Sequence, residues 1–268
     1  MSSTQLLSGL KFRFKQEGDP SAPLLVLSNS LMSTLESWDY VAPKFLDSGF
    51  QLLRYDQVGH GETEAPARGT MFSMDDMVRQ LHDLLAVQGV KPYAIIGCSI
   101  GGIIALRYAQ VYPEDLTKVV ASSVPGMSTL PNTIDTWNER IAIVENGGLK
   151  DELVPATINR WFKLPEKGTI SPQVRADATA QASKTSETGY LSCVNALLNY
   201  DFDPDLPKIK KKPLLIAGQL DGNLEDVIGE FAKKIPDSQF VVLPNSGHIP
   251  MVDDPERFAS TVLKYLKE

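Results

Sequence analysis

A serine flanked by glycines is the strongest chemical signal in the sequence. Residues 97–101 read Gly-Cys-Ser-Ile-Gly, the pattern G-x-S-x-G. The pattern follows a strand-like segment and opens a helix-like one, so Ser99 would lie on a sharp turn between them. Side chains two residues away on either side would collide with such a turn, and Gly97 and Gly101 have none. The sequence therefore predicts that Ser99 is a nucleophile, the alternative being a glycine-rich helix start without chemistry.

A serine nucleophile needs a base to take its proton, and the chain contains 3 histidines. His82 lies inside a helix-like stretch and His60 lies between two glycines in a turn, so we assign neither to catalysis. His248 follows an apolar run at residues 239–243, in a late loop where a base is expected. His248 is the predicted base, the alternative being a structural loop histidine.

The acid that orients this histidine should lie between Ser99 and His248 in the chain, in a loop just after a strand. Asp221 directly follows the strand-like residues 214–218 and is the predicted acid. Asp226, five residues later in a predicted helix, is the reserve candidate. The alternative for either aspartate is an acid at a helix N-terminus.

Acyl transfer also needs two amides that bind the oxyanion of the intermediate. One is the amide after the nucleophile, that of Ile100, and the other belongs to a loop after an early strand. Residues 28–31 follow the strand-like run 24–27, and we assign the second donor to the amide of Leu31. The side chains of Asn29 and Ser30 would alternatively only close a turn.

Short apolar runs alternate with helix-like stretches along most of the chain. This alternation is typical of a mostly parallel sheet with helices on both faces, the α/β class. The predicted strands are 24–28, 51–55, 93–97, 118–122, 213–218 and 239–243, and the clearest helices are 74–87, 103–111 and 255–266.

The alternation is interrupted between residues 124 and 206, where prolines separate helix-like pieces. We interpret this segment as a helical cap inserted into a core domain formed by residues 1–123 and 207–268. The strand–helix series resumes at Pro213, so the cap should lie over the carboxyl edge of the sheet, where such folds bind ligands.

The composition excludes several classes of function. The formal charge is −7 and basic residues are not concentrated, so we expect no nucleic-acid partner. No apolar run is long enough to cross a membrane, and neither a leader nor a disulfide framework is evident with 2 cysteines, so we expect a cytoplasmic protein. The histidines are scattered, so we expect no metal site. The sequence has no nucleotide-binding glycine motif after the first predicted strand, so we expect no nucleotide cofactor. A homodimer is compatible with the sequence, which leaves the oligomeric state open.

These residues together resemble the α/β-hydrolase superfamily, and within it the 3-oxoadipate enol-lactonases. The resemblance runs through most of the chain and includes the cap. It is carried by residues 28–31 with Trp38, residues 54–56 and 59–61, Gly101, Gly102, Gly218 and Asp221, and in the cap by residues 137–141, 147–148, 160–162 and 189–190 with Cys193 and Ala196. Met32 departs from the glycine common in such enzymes and would narrow the pocket, and residues 98–100 read Cys-Ser-Ile in place of Leu-Ser-Met.

The resemblance implies a cofactor-independent lactonase of aromatic catabolism that acts on a small lactone or ester. A diacid substrate needs a cation for its free carboxylate. We assign this role to Arg140 with Trp137, and in second place to Arg160 with Trp161. The alternative is that Arg140 bonds helix ends and Trp137 packs the cap. The alternative functions are an esterase or lactonase for another carbonyl compound, and a slowly hydrolysing ligand receptor.

Overall fold

One mixed sheet contains all the strands in the computed structural model, which describes residues 2–162 and 170–268. The strand order is β1-β2-β4-β3-β5-β6-β7-β8, with β1, β2 and β4 paired antiparallel and the remaining pairs parallel. Within those residues the strands are β1 (Ser3–Leu7), β2 (Leu10–Glu17), β3 (Leu24–Ser28), β4 (Gln51–Tyr55), β5 (Ala94–Cys98), β6 (Lys118–Ser122), β7 (Leu214–Gly218) and β8 (Gln239–Leu243). The predicted α/β-hydrolase fold is thus confirmed.

The central strands are continuous apolar runs because helices cover both faces of the sheet. Every residue of β3, β4, β5 and β7 is buried. In the described residues the α-helices are α1 (Ala42–Asp47), α2 (Met74–Gln88), α3 (Ile100–Val111), α4 (Ile134–Glu145), α5 (Val154–Trp161), α6 (Pro172–Ala182), α7 (Glu187–Leu198), α8 (Leu224–Ala232), α9 (Pro250–Asp253) and α10 (Pro255–Leu266). Helices α2 and α3 contact each other, as do α1 and α10.

The sequence signals at the ends of α2 show how local residues set its limits. Ser73 accepts a hydrogen bond from the Asp76 amide while the Asp76 side chain accepts from the Ser73 amide, a reciprocal cap that starts the helix. Gly89 ends it with φ +67°, a left-handed conformation that glycine adopts easily. The apolar stripe of α2 then packs on α3, as its spacing predicts.

A hairpin precedes the parallel strands and was not expected from the sequence. Ser8 and Gly9 both have positive φ values, +50° and +83°, which suits a tight turn between β1 and β2. In β2, Phe12 and Phe14 are buried and alternate with charged residues. The apolar pattern of β2 therefore has a period of two, and a search for continuous apolar runs does not detect it.

The helices α4 to α7 lie between β6 and β7 and form the helical cap. Helix α4 packs against α7, and α5 packs against α6. Residues 163–169, within the predicted cap, lie outside the described residues, and the boundaries at residues 124 and 206 stay predictions. Among the residues that are described, no helix is long and apolar enough to cross a membrane.

Candidate active site

Ser99 lies on a strained turn between β5 and α3. Its φ of +57° and ψ of −119° are unusual for a residue with a side chain. A Cβ at Gly97 would lie 2.0 Å from the carbonyl oxygen of Gly101, and a Cβ at Gly101 would lie 2.2 Å from that of Ser28. Both neighbours must therefore be glycine for the chain to turn this tightly and present the serine hydroxyl.

His248 and Asp221 form a buried pair. The Nδ1 atom of His248 lies 2.9 Å and 3.0 Å from the two carboxylate oxygens of Asp221. The two side chains are 5% and 6% exposed. Such a hydrogen bond leaves Nε2 of the imidazole free to accept a proton, provided that Nδ1 carries the hydrogen.

Burial and charge set the protonation states of this pair. Burial raises the pKa of Asp221, but its attraction to His248, their hydrogen bond and the charge of Arg160 together hold it below its ordinary value. Burial also lowers the pKa of His248, and repulsion from Arg160 lowers it further, against the attraction of Asp221. A neutral imidazole beside an ionised carboxylate is the state that a general base requires.

Two loops that carry the pair are joined to each other and to the cap. The Leu220 amide donates to the carbonyl of Ser246 at 2.8 Å, and the His248 amide donates to the carbonyl of Trp161 at 3.2 Å. Asp253 accepts from the Ser246 hydroxyl and from the Gly247 amide, both at 2.5 Å. These bonds fix the position of the imidazole before any substrate binds.

The serine and the pair line one cavity of about 260 Å³ between the core and the cap. Within the described residues the Ser99 hydroxyl forms no hydrogen bond with His248; such bonds are often long in free enzymes and tighten when substrate binds. The cap contributes Thr133, Trp137, Arg140, Thr157, Arg160 and Tyr190 to the wall. The structure thus brings the three predicted residues to one cavity.

One predicted oxyanion donor shares the cavity with Ser99, and the other follows Ser99 in the chain. Leu31 lines the cavity, and Ile100 is the first residue of α3, so its amide is not needed within the helix. Across residues 2–162 and 170–268, no acceptor bonds to either amide. Asn29 fixes the loop by donating to the Tyr55 carbonyl and accepting from the Trp38 indole, both at 2.7 Å. Asn29 therefore supports the loop that holds the Leu31 amide.

Two arginines of the cap reach the same cavity. The guanidinium of Arg140 lies 4.8 Å from the ring centre of Trp137, and Arg160 also lines the wall. No carboxylate in the part of the chain that the structure describes forms an ion pair with either. Burial and repulsion from Arg140 lower the pKa of Arg160 to about 10. Both cations remain available to an anionic ligand at neutral pH.

Trp161 does not have the position that the sequence predicts for it. Its side chain is 1% exposed and does not line the cavity. The indole instead stacks beside the His248 imidazole, with ring centres 6.4 Å apart and planes inclined by 14°. Its carbonyl also accepts a hydrogen bond from the His248 amide, so Trp161 supports the imidazole and is not part of the cavity wall. A large aromatic residue at the end of α5 serves packing first.

Four other residues with reactive side chains, among them the reserve acid Asp226, do not line the cavity. His60 is buried and its Nδ1 bonds to the Val58 carbonyl at 2.9 Å, and burial lowers its pKa to about 4. His82 stacks on Tyr112 with ring centres 4.0 Å apart. Cys98 is fully buried, and Asp226 is exposed on α8.

Tyr190 lines the cavity from α7 and is 1% exposed, a position that the sequence does not predict. Burial raises the pKa of its phenol to about 12, although Arg140 and Arg160 oppose this shift. The phenol thus stays protonated and can donate a hydrogen bond into the cavity. Its position depends on how α7 packs, and no spacing in the sequence indicates it.

Several known proteins are similar to this chain over nearly its whole length. A 3-oxoadipate enol-lactonase of Acinetobacter baylyi is 29% identical over 93% of this chain and 91% of its own. The crystal structure of an enol-lactonase from Burkholderia xenovorans has a TM-score of 0.91 at 25% identity, covering 99% of this chain and all of the other. A hydrolase structure from Pseudomonas aeruginosa has a TM-score of 0.90 at 28% identity, covering 100% of this chain and 98% of the other.

These similarities confirm the resemblance to enol-lactonases that the sequence motifs indicate. The family model described as the alpha/beta hydrolase fold matches residues 23–255. Because this match spans most of the chain, the protein is a hydrolase that belongs to the α/β-hydrolase fold family.

Proposed function

We propose that this hydrolase opens a carboxylated lactone through an acyl-enzyme, in the manner of a 3-oxoadipate enol-lactonase. The main support for this proposal is the shared cavity, where Ser99 and the His248–Asp221 pair face two arginines of the cap. The nucleophile and its base account for ester chemistry. The two cations account for a substrate with a free carboxylate.

The first half of the reaction attaches the substrate to the enzyme. The Ser99 oxygen attacks the lactone carbonyl carbon while Nε2 of His248 takes the hydroxyl proton. The carbonyl oxygen becomes an oxyanion, and the amides of Leu31 and Ile100 donate to it. Asp221 stabilises the imidazolium that forms. When the ring C–O bond breaks, His248 returns the proton to the leaving oxygen and an acyl-enzyme remains.

The second half releases the product. Water attacks the acyl carbon and gives its proton to His248, and the Ser99 oxygen then leaves and recovers that proton. In a lactone the leaving oxygen stays tethered to the acyl group, so recyclisation competes with hydrolysis. An enol leaving group that relaxes to a ketone removes the competing nucleophile. Enol-lactones should therefore be better substrates than simple lactones.

The cations select the charge of the substrate. Arg140 is held over the face of Trp137, which orients its guanidinium at the cavity. Arg160 is half-buried on α5 and faces the same space. The compound in the name of the Acinetobacter baylyi relative, 3-oxoadipate, is a dicarboxylate. We assign one substrate carboxylate to the Arg140 site and the reacting acyl group to Ser99.

A comparison of substrates tests the proposal, because kcat/KM reports how well each transition state is bound. Carboxylated enol-lactones, simple lactones and neutral p-nitrophenyl esters should decrease in kcat/KM in that order. Ser99→Ala should abolish all three activities, whereas Ser192→Ala, a buried serine outside the cavity, serves as the matched control. Faster turnover of neutral esters than of carboxylated lactones would assign the protein as an esterase. A turnover number far below about 1 s⁻¹ with tight ligand retention would indicate a receptor.

A further inference from the structure

Met32 has a backbone conformation that residues with a side chain rarely adopt. Its φ is +64°, in the left-handed region that favours glycine. Met32 directly follows Leu31, whose amide is a proposed oxyanion donor. Unusual backbone conformations of this kind persist where the surrounding structure enforces them, and they concentrate at functional sites. Contacts of the Met32 side chain must therefore hold the loop in this conformation.

The side chain of Met32 connects the oxyanion loop to the cap. Its sulfur accepts a hydrogen bond from the Thr157 hydroxyl of α5 at 3.5 Å. Met32 is 1% exposed and Thr157 is 7% exposed, and both line the cavity that contains Ser99. The contact therefore closes the wall between the core and the cap. A glycine at this position would relax the backbone and leave the wall open.

We infer that Met32 is a specificity-determining residue that limits the size of the group attached to the carbonyl carbon of the substrate. The inference rests on the proposed function, because it needs an acyl group at Ser99. A bound substrate directs its carbonyl oxygen at the Leu31 amide and its leaving oxygen at His248. A side chain next to Leu31 then meets the acyl group before it meets the alcohol. The preferred substrate has a compact acyl portion.

The test compares p-nitrophenyl acetate, butyrate and hexanoate in the wild type and in Met32→Gly and Met32→Ala. Both variants remove the thioether, so the ratio of kcat/KM for hexanoate to that for acetate should rise about tenfold or more, as expected for methylenes admitted to an apolar pocket. Met32→Gly also relieves the left-handed strain and should have a higher Tm than Met32→Ala. Having two variants keeps the test valid if one of them is unstable.

Two controls separate size selection from general disturbance. Met32→Leu keeps most of the side-chain volume, so its ratio should stay near the wild-type value. Met74→Ala removes another buried methionine, on α2 and outside the cavity, and should leave the ratio unchanged. The inference is overturned if the ratio in both Met32 variants stays within about twofold of wild type, or if Met74→Ala raises it equally. The inference is also overturned if the Met32 variants gain kcat/KM only for alkyl acetates with a longer alcohol part. Failure of the proposed function is a separate result, because it is measured in the wild type alone: either none of these esters is hydrolysed, or neutral esters turn over faster than carboxylated lactones.

Discussion

The Nδ1 atom of His248 lies 2.9 Å from the nearer carboxylate oxygen of Asp221, and both side chains are almost fully buried. The two residues belong to loops that follow β8 and β7, and the bond from the Leu220 amide to the Ser246 carbonyl joins these loops. This geometry fixes the imidazole in the cavity wall and leaves Nε2 without a protein partner in the described residues. It is the relationship on which the proposed chemistry depends.

Removing the charge of Asp221 should disable the base without unfolding the protein. In Asp221→Asn we expect kcat for a p-nitrophenyl ester to fall about 10⁴-fold, because the amide favours the wrong imidazole tautomer. Asp226→Asn is the matched control, since Asp226 is exposed on α8 and does not line the cavity. A kcat within about tenfold of wild type would show that another acid orients His248.

Removing a cap cation should change binding of charged substrates selectively. Arg140→Ala should raise KM for a carboxylated lactone about tenfold to a hundredfold, since a hydrogen bond to a charged group contributes about 1.5–3 kcal/mol. KM for a neutral ester should not change. Arg79→Ala on α2, whose side chain is 61% exposed, controls for loss of one positive charge. Equal KM values for the carboxylated lactone in both variants would remove Arg140 from the substrate site.

The pH dependence of kcat/KM should report the lowered pKa of His248. Burial and Arg160 shift this pKa below its ordinary value of 6.5, and only the neutral imidazole accepts the serine proton. Activity should therefore fall as the pH decreases through an apparent pKa below 6.5. Arg160→Ala removes a repulsive charge and should move this acidic limb to higher pH. An unshifted limb in that variant would mean that Arg160 does not act on the imidazole.

Asp253 should make the free energy of unfolding depend on pH. Burial raises its pKa from 3.8 to about 6, so between these values the folded protein holds a proton that the unfolded chain has released. The contribution of this group to stability is complete below the unfolded value and is lost as the pH rises through about 6. The Asp253→Asn variant has no ionisable group at this position. In urea denaturation, its free energy of unfolding minus that of the wild type should therefore be larger at about pH 8 than at about pH 5. A difference between the two proteins that is the same at both pH values contradicts this account.

The sequence predicts the central sheet well because its strands are short apolar runs. Strands β3 and β4 begin and end at the predicted residues, and every residue in them is buried. The hairpin of β1 and β2 contains no continuous apolar run, because Phe12 and Phe14 of β2 alternate with charged residues. The alternating pattern of β2, together with the Ser-Gly turn before it, is the sequence signal that indicates this hairpin.

The candidate site is predictable in its chain order and less so in its cap. Ser99, Asp221 and His248 follow strand ends, and parallel strands bring their carboxyl ends to one edge of the sheet. The direction of a cap side chain depends on how helices pack, which no local pattern specifies. Trp161 consequently lies beside His248 and not in the cavity, while Tyr190 lines the cavity without having been assigned a role.

We propose that the Ser99 hydroxyl becomes a nucleophile through His248, and every later step of the reaction depends on this activation. The most direct measurement is intact-protein and peptide mass spectrometry after reaction with a fluorophosphonate, in the wild type, Ser99→Ala and His248→Ala. We expect one adduct per chain, on Ser99, which is absent from Ser99→Ala and forms far more slowly in His248→Ala. An adduct on another residue, or labelling of Ser99 at the wild-type rate in His248→Ala, would contradict it.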